Sequence, residues 1–152
     1  MNERFAGIIE VVPKLFAALA TSEPFLTKGT AEQMGRAGVY AFFVNGRPVH
    51  VGRTRNLQIR LRGHITRNHN SATFAFKRAR RRLGMTATYK KEGSRAELTG
   101  DGIFGPEFTR QIASVKAMEV RFVEVPDPVA QYLLELYAHI EWNIPLDEFE
   151  TH

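Results

Sequence analysis

Residues 38–65 read GVYAFFVNGRPVHVGRTRNLQIRLRGHI, and this stretch decides the fold. Two apolar runs, Val39–Val44 and Pro48–Val51, flank Asn45-Gly46. That dipeptide is a strong short-range hairpin signal, because both its residues tolerate positive φ. Register then decides which side chains share a face, since strand residues alternate. A two-residue loop pairs Tyr40 with Val51 and sends His50 to the other face. A three-residue loop, with Gly46 left-handed in a bulge, pairs Tyr40 with His50 and sets phenol and imidazole side by side. Gly52 ends the second strand without a side chain, which would let a ligand or helix terminus approach the backbone. Thr54 is an N-cap for a helix running to about Ile65. On that helix Asn56, Arg60 and His64, four apart, line one face, and Leu57, Leu61 and Ile65 form the adjacent buried seam. Arg60 thus stands at the edge of the core, where its planar fork of donors can be held ready for phosphate oxygens.

Outward from this stretch the chain alternates helical and extended signals. Phe5, Ile8, Ile9, Val12, Leu15, Phe16 and Leu19 recur at helical spacing, with Pro13 expected to split them into two short helices or to start the second. Residues 22–38 form a connector. A second helical stretch, about 72–83, carries Lys77-Arg78-Ala79-Arg80-Arg81-Arg82. Five glycines between Gly84 and Pro106 mark a long loop or insertion, which also holds Tyr89, Lys90, Lys91 and Arg95. A short helix near 107–117 follows. Residues 118–125 alternate as a third strand. Asp127-Pro128 opens a last helix through Trp142, with Val129, Leu133, Leu136, Tyr137 and Ile140 as its expected core face. The expectation is one α+β domain over residues 1–152. It comprises a small three-stranded, mostly antiparallel sheet flanked by helices, an N-terminal helical extension (1–37) and a loop insertion (84–106).

Composition narrows the function classes. The 152 residues suffice for one domain with a proper core. With 43% hydrophobic and 24% charged residues, the balance is that of a soluble globular chain. The net charge of +5 and pI near 9.8 favour a polyanionic partner. There is no cysteine, which excludes disulfides, thiolate nucleophiles and Cys-rich zinc sites and points to the cytoplasm. No apolar run approaches membrane-spanning length, so no membrane partner is expected.

The motifs, taken in order, resemble the GIY-YIG nuclease family. Gly38-Val39-Tyr40 stands for the first motif and His50-Val51-Gly52 for the second, with His50 where the family normally has Tyr. Arg60 and His64 follow at the family's spacing, and His69-Asn70 resembles a His that often comes next. Glu135, on the helix after strand three, matches the family's metal-binding glutamate, with Glu141 as competitor. No residue fits the Asn that usually follows the terminal helix. The resemblance implies a phosphodiesterase in which Glu135 holds Mg²⁺ or Mn²⁺ and Arg60 stabilises the transition state. It implies that Tyr40 helps activate water, with His50 assisting and His64 orienting water or phosphate. Arg53, Arg55, His69, Lys77, Arg78 and Arg81 would bind nucleic acid, DNA in the first instance or RNA, with a homodimer or protein partner supplying specificity. The competing readings are a catalytically impaired nucleic-acid-binding module and a basic protein adaptor.

Overall fold

The computed structural model describes residues 1–28, 32, 34–84 and 100–148. The stretch 85–99, with Tyr89, Lys90, Lys91 and Arg95, lies outside the described residues. The chain is α+β: five α-helices and a three-stranded antiparallel sheet among the described residues. The described elements are α1 (Glu3–Thr21), β1 (Gly38–Val44), β2 (Arg47–Thr54), α2 (Leu57–Ile65), α3 (Thr73–Arg82), α4 (Phe104–Lys116), β3 (Glu119–Glu124) and α5 (Pro128–Glu141). None of these helices is long and apolar enough to cross a membrane. Contacts divide the chain into two compact units, 1–59 with 118–152, and 60–117.

The first unit is the sheet with α1 and α5. Strand order is β2-β1-β3, both pairs antiparallel. The turn is the two-residue Asn45-Gly46 loop, with φ of 51° and 76°, so both residues are left-handed as a tight hairpin turn requires. The register, however, shifts between Phe42 and Phe43: Phe43 pairs with Pro48 and Phe42 with His50, leaving Val49 as a bulge. Tyr40 therefore faces Gly52, not His50. The bulge still returns Tyr40 and His50 to one sheet face. It also aligns Val51 with Ala41 on the opposite face, where Val39, Ala41, Phe43 and Val51 are buried against Ile8, Val12, Leu134 and Ala138. Burying that apolar row selects the register.

The outer edge of β3 is covered by the connector: Phe25 bridges Val120, and Ser22 Oγ accepts from the Phe122 amide at 3.1 Å. Three expectations are corrected here. Pro13 does not divide α1, which is one helix burying Ile8, Val12 and Leu19. Pro13 sits on its exposed side, where water can satisfy the carbonyl the ring deprives of a donor. Strand β2 runs past Gly52 to Thr54, and Asn56 caps α2, its Oδ1 accepting from the Ile59 amide at 3.1 Å. The buried side of α5 is Ala130, Gln131, Leu134, Glu135, Ala138 and His139; of the expected face Val129, Leu133 and Tyr137 are half-buried against the same core, while Leu136 and Ile140 are exposed. Small alanines let this helix approach the sheet closely. Asp127 caps it as expected, accepting from the Val129 amide at 2.9 Å, and Asn143, at φ 53°, follows its end.

The second unit is built on aromatic rings. Phe76 of α3 meets Phe104 and Phe108 of α4 with ring centroids 4.9 and 5.6 Å apart. Helix α4 starts at Phe104, earlier than expected, because Asp101 Oδ1 accepts the Ile103 and Phe104 amides at 2.8 Å each. In α2, Leu57 and Leu61 are fully buried as expected, but Ile65 is only half-buried and His64 is buried in its place.

Candidate active site

Tyr40 and His50 lie together on one face of the hairpin, both buried, with ring centroids 6.0 Å apart. Phe42 touches both, edge-on to Tyr40 at 5.7 Å and stacked on His50 at 5.7 Å. Phe42 is a member of this group that motif reading did not single out. Gly52 is explained by the same geometry. A Cβ there would stand 2.4 Å from Tyr40 Oη and 2.6 Å from Cζ, so the ring lies across the glycine. The expectation that Gly52 leaves room for a ligand or helix end is therefore corrected: Tyr40 itself takes the space. Gly38 meets a similar demand, since a Cβ would fall 2.1 Å from the Val123 carbonyl oxygen. Gly52→Ala should cost about 1–3 kcal/mol through overpacking, read as a lowered thermal midpoint. An unchanged midpoint would mean that the Tyr40 ring is not held over this position.

Glu135 belongs to a second group. It is fully buried on α5, and its Oε2 accepts from Arg53 Nη1 at 2.5 Å in an ion pair that is itself nearly inaccessible. The Arg53 guanidinium also lies 3.7 Å from the Tyr132 ring centroid. Burial alone would pull the Arg53 pKa down. Hydrogen bonding to Glu135 and its charge, with a contribution from Tyr132, hold it above the ordinary value. Strand alternation places Arg53, opposite Val39, off the face that carries Tyr40 and His50. Arg53 is thus a partner of Glu135, with Tyr132 packed on the same guanidinium, and the Arg53–Glu135 pairing spans 82 residues of chain that no local pattern announces.

In the second unit Arg60 is tethered. Its Nη1 donates to the Ser71 carbonyl at 3.0 Å and its Nη2 to Thr73 Oγ1 at 3.3 Å. These bonds fix the guanidinium against the start of α3. His64 is buried and His69 half-buried, while Arg55, in the first unit, is exposed. The basic run sorts by helix face. Arg80 lies over the Phe76 ring at 4.7 Å and Lys77 is half-buried, whereas Arg78, Arg81 and Arg82 line one cavity with Gln111.

Among the described residues, no three His, Cys, Asp or Glu side chains gather as a metal-ligating group. A divalent cation at Glu135 would take this single carboxylate, already in contact with Arg53. Mg²⁺ accepts such a donor when waters and substrate phosphate oxygens complete its shell. Because Glu135 is fully buried and bound to Arg53, an ion could reach this carboxylate only by displacing the guanidinium and opening the site to water.

No family model matches the chain, and neither the curated proteins nor the solved structures hold a significant match to it.

Proposed function

We propose that this chain is a metal-dependent endonuclease of the GIY-YIG type it resembles, hydrolysing DNA phosphodiester bonds. The observation that carries this reading is the Tyr40–His50 pair set on one face of a hairpin. Support comes from the helix that follows, whose Arg60 is held in place by Ser71 and Thr73. In this reading Tyr40 takes a proton from the attacking water, and His50 beside it receives or relays that proton. By the resemblance, Arg60 would stabilise charge on phosphorus-bound oxygens and His64 would orient the water or the phosphate. Glu135 would hold Mg²⁺ or Mn²⁺, which when bound offsets charge on the leaving oxygen. Arg53 positions that carboxylate. His50 and Arg53 are three residues apart on β2 and on opposite faces of the sheet, so Glu135 with Arg53 forms a group separate from the Tyr40–His50 pair. We place the activity in the cytoplasm, in keeping with a chain that has no cysteine.

The test is nicking of supercoiled plasmid with Mg²⁺, with Mn²⁺ and with a chelator. Wild type should nick only with metal, and Tyr40→Phe should slow it by about 100-fold or more, the usual range for a general base. Glu135→Gln should abolish metal dependence together with cleavage. The ion pair supports a second reading, a module that binds nucleic acid without cutting, with Glu135 a structural partner of Arg53. Plasmid that stays intact across both metals, in a protein that still binds it, would select that reading.

A further inference from the structure

The cavity of about 330 Å³ lined by Arg78, Arg81, Arg82 and Gln111 is large enough for a phosphate group and several waters, given a water's share of about 30 Å³. Arg78, Arg81 and Arg82 stand at i, i+3 and i+4, so α3 aims three guanidinium groups at one space. Burial and the neighbouring Arg81 charge push the Arg78 guanidinium down from its ordinary value. The nearby acid, Glu107, is held chiefly by Gln111 and Arg110, and its charge also acts on Arg82. Glu107 accepts from Gln111 Nε2 at 2.9 Å and from Arg110 Nε at 2.7 Å, and these contacts hold its carboxyl below the usual carboxylate range. Fixed in this way, Gln111 turns its Oε1 toward Arg78 Nε, which donates to it at 2.9 Å. Phe74 supports the same guanidinium at 5.4 Å. The chain Arg110–Glu107–Gln111–Arg78 thus sets the Arg78 fork by hydrogen bonds on one side and an aromatic face on the other. A guanidinium held so is suited to bidentate contact with phosphate oxygens.

We propose that this cavity is a pocket for a single backbone phosphate of a nucleic-acid strand, with Arg78, Arg81 and Arg82 as its binding residues and Gln111 as the positioning residue. The proposal rests on the nucleic-acid reading above and adds a count: three arginines converge on one phosphate. A strand fits better than a free anion, because Arg81 and Arg82 are exposed at the rim and the chain is basic overall. The pocket needs no metal and no cleavage.

Counterion release makes the count measurable. The slope of log K against log salt reports the number of phosphates neutralised, at about 0.7 per phosphate for a single strand. The experiment is fluorescence anisotropy of a labelled 15-nucleotide single strand, with chelator present, across a KCl series. The triple variant Arg78→Ala/Arg81→Ala/Arg82→Ala should bind about tenfold more weakly, with a slope shallower by about 0.7. A slope shallower by about 2.1 would mean three phosphates held separately and would overturn the pocket. Arg82→Ala alone, at an exposed position, guards against misfolding and should weaken binding several-fold. Gln111→Ala should weaken binding with an unchanged slope, because every positive charge remains. An unchanged slope and affinity in the triple variant would remove the pocket and leave the nuclease reading standing. Failure of wild type to bind the strand would sink both. Inorganic phosphate is the remaining arm: binding of phosphate by wild type at micromolar concentration, with no binding of the strand, would make this a small-anion site and overturn the proposal.

Discussion

Arg53→Ala should destabilise the protein by about 3–5 kcal/mol, because it strands a buried carboxylate without its cation. Glu135 is fully buried, and its partner reaches it from β2 while stacked on Tyr132. Removing the guanidinium deletes the ion pair and the ring contact together. Urea melts of wild type and variant measure the loss. The double variant Arg53→Met/Glu135→Leu should be closer to wild type than Arg53→Ala, since replacing both charges leaves nothing unpaired. A loss below about 1 kcal/mol would show that water reaches Glu135 and that the pair is an ordinary surface contact. The same variants bear on function. A catalytic Glu135 predicts that Arg53→Met/Glu135→Leu folds and fails to nick, whereas a structural one predicts that binding of plasmid is retained whatever occupies the pair.

Phe76→Ala should cost about 3–5 kcal/mol, the usual range for emptying a fully buried aromatic site. Its ring is inaccessible, meets Phe104 and Phe108, and carries the Arg80 guanidinium on its face. No small rearrangement fills the space, because the two neighbouring rings are themselves fixed on α4. Phe5→Ala supplies the contrast. That ring is 40% exposed on α1, and its loss should change stability by no more than about 1 kcal/mol. Thermal unfolding followed by circular dichroism at 222 nm compares them directly. Equal midpoints for the two variants would mean that the three-ring cluster is not the core of residues 60–117.

Local chemistry alone determined the hairpin, the third strand and the last helix. Asn45-Gly46 turns the chain, Val120 and Phe122 alternate with polar residues, and Asp127 caps the helix that Pro128 begins. Each of these rests on a few neighbouring residues, so each is legible along the chain. The co-facial placement of Tyr40 and His50 was one of two registers that local rules left open, and a two-residue loop alone would have separated them. The bulge at Val49 follows from burying Val51 beside Ala41 against α1 and α5, a demand made by residues far away in sequence. The buried side of α5 was decided in the same way. The period of that helix pointed the other way, since Gln131, Glu135 and His139 form a polar stripe at i, i+4 and i+8 that is nevertheless buried. Close approach to the sheet chose Ala130 and Ala138 over the larger Leu136 and Ile140. The basic run gave charge without direction, and packing on α4 turned Arg80 onto Phe76 and left Arg78, Arg81 and Arg82 around one cavity. The pairing of Arg53 with Glu135 is the furthest from local rules. An arginine after a strand glycine is ordinarily solvated. Here β2 and α5 bring it to a carboxylate buried from water, and in that setting opposite charge is the condition under which either group can be buried at all.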